Sequence, residues 1–217
     1  MTIGALAYLA GLVATAPARL IVEPGPATNI ASVGGTVWRG RAVLAGGEVA
    51  RWRWAPLRSL AGFGYAAGFR VDGAGTALTG RVRLRPGATL FESVGGTASA
   101  TLVAGAFPRL PFACATALRV AVARFGLGGD SGFADGRLET DAAACTARAV
   151  AAPPVSAPPL LVTLTGATGR VAPRAHPRVT FATLGFAPGR LTIAFTPEGA
   201  AALPFATLAG TRIETDF

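Results

Sequence analysis

The chain has 217 residues, of which 51% are hydrophobic and only 14% are charged, and its formal net charge is +9. A chain this apolar can bury enough surface to offset the entropy of ordering, which excludes an intrinsically disordered protein. Glycine has no three-residue period, which excludes collagen. Every basic residue is arginine, in a chain rich in Ala and Gly. Part of the positive charge therefore reflects compositional bias and does not by itself indicate nucleic-acid binding.

An apolar segment occupies residues 1–22 and carries Pro17 and Arg19 near its end. Its length is about that of a membrane anchor, in which Arg19 would reach the lipid headgroups. As a cleaved signal peptide it offers small residues before the cleavage point but lacks a positive region before Ile3. A buried N-terminal helix is the third interpretation. The first two place the remainder of the chain outside the cytoplasm.

The two cysteines, Cys114 and Cys145, lie in separate segments. In an exported domain such a pair forms a disulfide more often than a metal site, because zinc needs four ligands and His176 is the only histidine. We predict a disulfide between them, which would stabilise the fold by roughly 3 to 4 kcal/mol on the chain-entropy model. We expect no metal and no cofactor.

From residue 30 onward, short segments alternate apolar and polar residues, as β-strands with one buried face do. The clearest of them are 50–54, 78–85, 178–183 and 190–195. Residues typical of turns stand at 46–47, 72–75, 85–87, 95–96, 135–136 and 187–189. The pattern predicts a mainly β protein: an N-terminal anchor helix followed by an antiparallel, curved sheet.

A proline-rich connection at residues 153–159 interrupts this region. Proline cannot donate to the ladder of a central strand. We therefore divide the β domain into a first part, 23–152, and a second part, 160–217.

The tryptophans Trp38, Trp52 and Trp54 lie within 17 residues of one another. They are either large core residues of a small sheet or the lining of a groove for a lipid or hydrophobic peptide. The groove interpretation adds further apolar residues from the second part, namely Phe181, Ile193 and Phe195.

Between residues 31 and 91 there are nine arginines and two carboxylates. Alternation places seven of the arginines on one face of the sheet: Arg39, Arg41, Arg51, Arg53, Arg81, Arg83 and Arg85. This basic face fits anionic lipid headgroups or an acidic partner, or it is an ordinary solvated face. Nucleic acid is not expected as a partner, since no nucleic-acid-binding motif accompanies the arginines.

No set of residues forms a catalytic pattern. The tetrapeptide Gly129-Asp130-Ser131-Gly132 copies the surroundings of a serine-protease nucleophile, but the sole histidine, His176, follows the serine in the chain. A serine hydroxyl without a base is a weak nucleophile. The carboxylates that follow do not match the spacing of a calcium loop. We predict that the protein is not an enzyme, that it has no catalytic residues and that it binds no metal.

Two neighbouring segments resemble a known family. The segment 32–42, Ser-Val-Gly-Gly-Thr-Val-Trp-Arg-Gly-Arg-Ala, is followed after one turn by 51–60, Arg-Trp-Arg-Trp-Ala-Pro-Leu-Arg-Ser-Leu. Together they are similar to the N component of the type II, or general, secretion pathway, whose pattern is Gly-Thr-Val-Trp-x-Gly-x-Ala and then a tryptophan-containing strand ending near Pro-Leu. The positions that carry the resemblance are Trp38, Gly40, Trp52, Trp54 and Pro56.

The resemblance implies a protein of the bacterial inner membrane with its β domain in the periplasm. It implies a non-enzymatic accessory or scaffold subunit whose partners are other inner-membrane components of the secretion machinery and membrane lipid. A periplasmic carrier that binds lipid or another hydrophobic ligand in a β-groove is the alternative.

Overall fold

The computed structural model describes residues 2–22, 24–25, 29–108, 110, 112–128, 132–148, 153–188, 190–203 and 212–216. The helices are α1 (Thr2–Ala14), α2 (Pro56–Ala61), α3 (Ala100–Ala106) and α4 (Pro197–Ala202), with a 3₁₀ turn at Ala18–Leu20. The first eight strands are β1 (Ile30–Gly35), β2 (Arg39–Leu44), β3 (Val49–Trp54), β4 (Tyr65–Gly73), β5 (Thr76–Arg85), β6 (Ala88–Ala98), β7 (Phe112–Cys114) and β8 (Leu118–Gly128). The remaining strands are β9 (Phe133–Thr140), β10 (Ala143–Ala147), β11 (Val155–Ala157), β12 (Leu160–Thr165), β13 (Thr168–Pro173), β14 (Ala182–Ala187), β15 (Arg190–Phe195) and β16 (Arg212–Asp216).

Among the described residues, thirteen strands form one antiparallel sheet in the order β1-β2-β3-β4-β5-β6-β8-β9-β12-β13-β14-β15-β16. The other three form a small sheet in the order β11-β10-β7. The prediction of a mainly β, antiparallel fold is confirmed. Neighbouring strands of the large sheet follow one another along the chain almost throughout, because short turns join most of them.

The large sheet coils so that its apolar face lies inside. Phe125 on β8 and Phe186 on β14 have ring centroids 6.3 Å apart, although three strands separate β8 from β14 in the sheet. In a flat sheet that separation would be about 19 Å, four strand spacings. Irregular pairing of β6 with β5 and of β8 with β9 contributes, since bulges bend strands and increase their twist.

Two groups of buried side chains form the core. Val122, Ala134 and Leu164 are at the centre of the first, and partly buried residues such as Phe125 and Phe186 pack around them. The second surrounds the small sheet. There Cys145 on β10 stands directly opposite Cys114 on β7, and the two are joined by the predicted disulfide.

The apolar segment 1–22 is not one continuous helix. Helix α1 ends at Ala14, and the chain then approaches the sheet, where Pro17 pairs with Thr36. Proline has no amide hydrogen and disfavours helical backbone in the residue before it, so a helix ends here readily. Among the described residues, no helix has the length and apolar character needed to cross a membrane.

The sequence pattern placed some boundaries wrongly. The pairs Gly95-Gly96 and Asp135-Gly136, predicted as turns, lie inside strands β6 and β9. The strand predicted at 178–183 begins only at Ala182, because the backbone turns at His176, whose carbonyl accepts a hydrogen bond from Val179.

The two parts of the predicted β domain belong to the same sheet. β9 of the first part pairs with β12 of the second, from Glu139 opposite Leu161 to Gly136 opposite Leu164. Within the proline-rich connection, residues 155–157 form β11, an edge strand of the small sheet. An edge is where a ladder tolerates neighbouring prolines.

Candidate functional site

Strand register brings arginines of β2 to β5 together in two rows on the outer face of the sheet. The first row consists of Arg39, Arg53, Gly68 and Arg81, each opposite the next across a strand pair. The second row consists of Gly34, Arg41, Arg51, Arg70 and Thr79. Side chains two residues apart in a strand share a face, so both rows point away from the apolar interior.

A hollow of about 800 Å³ lies between these rows. We call it the arginine hollow, and its rim is formed by Arg39, Arg41, Arg51, Arg53, Arg70 and Arg81. The backbone of the row between forms its floor, through Gly35, Gly40, Trp52, Phe69 and Gly80.

Glycine gives the hollow its depth. Gly68 stands in the first row between Arg53 and Arg81, and a Cβ added there would meet no atom within 4 Å. A larger residue would project into the hollow, so the absence of a side chain keeps it open.

The charge of the hollow is only partly neutralised. Asp72 accepts from Arg51 at 3.3 Å and from Arg70 at 2.7 Å. Among the described residues no carboxylate forms an ion pair with the four other rim arginines, Arg39, Arg41, Arg53 and Arg81, all of which are exposed. Like charges this close repel one another, and a bound anion would relieve that repulsion.

Two arginines of the predicted basic face do not belong to the hollow. Arg83 is mostly buried and pairs with Glu92 at 3.6 Å. Arg85 donates two hydrogen bonds to the carbonyl of Gly62, at 2.8 and 3.1 Å. Arg83 thus connects β5 to β6 and Arg85 connects β5 to the residue that follows α2, so this end of β5 performs a structural role.

Arg70 and Gly68 belong to the hollow but were missing from the predicted site. The signal was present, because Phe69 and Val71 alternate with Gly68 and Arg70 along β4. A glycine interrupts the arginine pattern, and the basic character of this strand is therefore less evident than that of β3 or β5.

The tryptophan cluster joins the N-terminal segment to the sheet. Trp38 Nε1 donates to the carbonyl of Val13 at 2.7 Å, and the rings of Trp38 and Trp54 lie 4.5 Å apart, edge to face. Trp54 Nε1 donates to Ser59 Oγ at 2.8 Å, just after Pro56 begins α2. Edge-to-face packing and satisfied indole donors fix the positions of both rings.

Gly40 and Trp52, two further positions of the resemblance, have packing roles. Trp52 lies directly over Gly40, where a Cβ would collide with the indole. Its Nε1 donates to the carbonyl of Val37 at 3.2 Å, and the Tyr65 hydroxyl donates to the same carbonyl at 2.6 Å. Burial raises the pKa of Tyr65 to about 12, so its phenol stays protonated and remains a donor.

Apolar residues of the second part do not lie beside the tryptophans. Phe181 and Phe195 are buried in the cluster around the small sheet, with Ile193 packed against it. Trp52 belongs to β3, nine places away from β15 in the strand order. The described contacts therefore do not assemble the groove predicted from these residues together.

A metal site would require several titratable side chains close together. Within the part of the chain that the structure describes, no three His, Cys, Asp or Glu residues are grouped as a metal ion would need. His176 is exposed in a turn. Ser131, the serine of the protease-like tetrapeptide, lies outside the described residues, as do Gly129 and Asp130.

The fold and the hollow define a coiled antiparallel β protein with a cationic outer surface. Comparison of the chain with protein-family models, with curated proteins and with solved structures finds no match.

Proposed function

We propose that this protein is a non-enzymatic accessory subunit of the type II secretion machinery, attached to the bacterial inner membrane by its apolar N-terminal segment, with its β domain in the periplasm. The resemblance of residues 32–60 supports the class of protein. The arginine hollow supports the mode of action, in which the sheet holds an acidic segment of another inner-membrane secretion component.

The observation that carries the proposal is the arrangement of the rim. Six arginines surround one hollow, and Asp72 is the carboxylate that pairs with two of them. Neighbouring strands lie about 4.8 Å apart and alternate residues of a strand about 6.6 Å apart, so the arginines of the rim extend from regularly spaced backbone positions. Successive carboxylates of an extended acidic peptide can accept charge-assisted hydrogen bonds from several of these arginines.

A photo-crosslinking amino acid in place of Thr79, which is exposed beside the hollow opposite Arg70, tests this proposal in intact cells. The matched control carries the same amino acid in place of Thr183, which is exposed on the same outer face at β14. We expect position 79 to capture a component of the secretion machinery and position 183 to capture none. Capture of the same proteins from both positions, or of no secretion component from position 79, would contradict the proposal.

The charge of the hollow is tested by Gly68→Glu. The new carboxylate has free space and would pair with Arg53 or Arg81, occupying the site of the partner's acid. We expect binding of that partner to weaken on the order of tenfold, equivalent to about 1.4 kcal/mol, and secretion of cargo to fall. Gly68→Gln, which fills the hollow to a similar extent without the charge, should weaken binding less.

A further inference from the structure

A short helix beside the end of the N-terminal segment projects large apolar side chains into solvent. In α2 and the turn after it, Leu57 is 81% exposed, Leu60 73% and Phe63 93%. We call these three residues the apolar patch. Leu57 and Leu60 stand three positions apart and therefore share one face of the helix. Single exposed leucines are normal at a protein surface, but a contiguous set with a fully exposed phenylalanine indicates an interaction site.

The apolar patch contributes little to holding α2 in place. Ser59, on the inner side of α2, accepts from Trp54 Nε1 at 2.8 Å and from the Ala66 amide at 2.9 Å. Arg85 fixes the end of the segment at Gly62. Phe63 itself has φ of 46°, a left-handed conformation that is rare for a bulky residue and costs free energy. The exposed position of the phenyl ring is thus associated with an unfavourable backbone conformation.

The apolar patch lies at the same end of the sheet as α1. Trp38 contacts the end of α1 through its hydrogen bond to Val13, and its ring packs against Trp54, which is bonded to α2. The exposed surface of α1 includes Tyr8, Leu12 and Val13, at 68%, 50% and 57% exposure. The apolar patch and the exposed surface of α1 therefore lie side by side at one end of the domain.

The charges around the apolar patch suit an anionic lipid surface. Arg58 is exposed on α2 between the two leucines, and Arg19 is exposed just after α1. No acidic residue occurs between Glu48 and Asp72 in the sequence. In the fold, Glu92 lines a small pocket with Arg58, and its carboxylate is paired with Arg83 at 3.6 Å. Apolar side chains flanked by arginine are typical of segments that lie in the membrane interface.

We infer that α2 and Phe63 form a second contact with the lipid bilayer, beside α1, in which Leu57, Leu60 and Phe63 enter the headgroup region and Arg58 meets lipid phosphate. This contact would fix the orientation of the β domain against the membrane. With α1 as the single attachment the domain could rotate about that helix, and a second attachment at α2 prevents this rotation. The inference deepens the proposed attachment to the inner membrane and does not depend on the arginine hollow.

Spin labels at the two ends of β4 test the inference. The full chain carries a nitroxide at Phe63→Cys or, as a matched control, at Ala74→Cys in the exposed turn that follows β4. Cys114 and Cys145 are joined and do not react with the label. The protein is bound to vesicles of phosphatidylethanolamine and phosphatidylglycerol, and the accessibility of each label to oxygen and to a water-soluble nickel chelate is measured.

We expect the label at position 63 to be open to oxygen and shielded from the chelate, and the label at position 74 to be open to the chelate. A label at 63 that is as open to the chelate as the label at 74 would overturn the inference. Because only protein and lipid are present, this result would leave the proposed secretion partner untouched.

A second measurement replaces the apolar patch with Leu57→Ser, Leu60→Ser and Phe63→Ser together. These side chains are exposed, so the thermal unfolding midpoint should change little. Vesicle affinity should fall on the order of tenfold or more, because lipid no longer removes three large side chains from water. The control, Val155→Ser with Val179→Ser, removes exposed apolar residues elsewhere and should leave affinity unchanged. Equal affinities of the two variants would contradict the inference.

Discussion

Ser99 makes two contacts that depend on its hydroxyl. Its Oγ accepts from the Leu102 amide at 3.1 Å, which caps α3, and donates to Glu48 Oε1 at 3.0 Å. Glu48 is only 3% exposed, and its Oε2 has no hydrogen-bond partner among the described residues. The hydrogen bonding of this buried carboxylate therefore depends strongly on Ser99.

The variant Ser99→Ala should lower the free energy of unfolding by about 2 to 4 kcal/mol, from loss of the cap together with loss of a hydrogen bond to a buried charged group. Urea unfolding measures this change. The exposed substitution Ser32→Ala serves as the control. In the background Glu48→Gln the cost of Ser99→Ala should shrink, and an unchanged cost there would show that the two side chains are not coupled.

Asp135 should make stability depend on pH in the acid range. The Gly166 amide donates to Asp135 Oδ1 at 2.9 Å, and Arg124 pairs with Oδ2 at 2.8 Å. The Gly166 hydrogen bond has the largest effect on the pKa of Asp135 and lowers it, whereas desolvation, the next largest effect, raises it. The hydrogen bond and the charge of Arg124 lower it further, so that the pKa of Asp135 lies below its usual range. The folded state therefore binds this proton more weakly than the unfolded state does.

The stabilisation from Asp135 is present above the unfolded pKa of about 3.9 and is lost as the pH falls through the lower, folded pKa. The difference in free energy of unfolding between the native chain and Asp135→Asn should therefore be level from about pH 6 to pH 5 and should shrink as the pH falls from about 5 to about 3. The control, Glu198→Gln, removes an exposed carboxylate of α4. A difference that stays constant over this range for Asp135→Asn would contradict the interpretation.

At the scale of the element, β6 contains two adjacent glycines with different constraints. Gly96 has φ of 128°, and a Cβ there would collide with the Ala77 carbonyl. Gly95 has its nearest contact, the Val120 carbonyl oxygen, at 3.8 Å. Gly96→Ala should lower the free energy of unfolding by about 2 kcal/mol or more, and Gly95→Ala should change it by less than about 1 kcal/mol. Urea unfolding of the two variants measures both changes in the free energy of unfolding. Equal changes would contradict the prediction and would show that β6 relaxes around the new methyl group.

The same glycines show why some elements could be predicted and others could not. Alternation defines a strand when most of the residues on its inner face are large and apolar, as in β3, β5 and β15, which begin and end within two residues of the predicted segments. Gly95 and Gly96 were predicted as a turn because glycine is suited equally to a turn and to a strand where another backbone approaches closely. That approach, here by Ala77, is a contact across strands that local sequence does not reveal.

At the scale of the whole molecule, local sequence identifies most of the rim of the candidate site but neither its depth nor its extent along β5. Alternation identified five of the six rim arginines, because the face of a side chain follows from its position in a strand. It could not exclude Arg83 and Arg85, since their contacts with Glu92 on β6 and with Gly62 after α2 are made between elements. Nor could it show that Gly68 opens a hollow, because the depth depends on the register of β3 to β5.

The disulfide is the covalent link that holds the small sheet together. Cys145 is 1% exposed and belongs to a core cluster that also contains Phe181 and Phe195 from near β14 and from β15. The small sheet is thus packed against the end of the large one. Because two short edge strands have few ladder hydrogen bonds, we expect the cluster to depend on the bond between Cys114 and Cys145.

Replacement of both cysteines by alanine opens a loop of 31 residues and should lower the free energy of unfolding by roughly 3 to 4 kcal/mol. Urea unfolding should show the same loss when the native chain is treated with a reductant, whereas the reductant should not affect the double variant. Hydrogen exchange shows which part of the molecule loses stability. If the small sheet opens by itself, amides of β7 and β10 exchange faster in the variant while those of β4 and β5 keep their protection. Uniform acceleration across both sheets would instead show that the two sheets unfold together, and that the disulfide stabilises the whole domain.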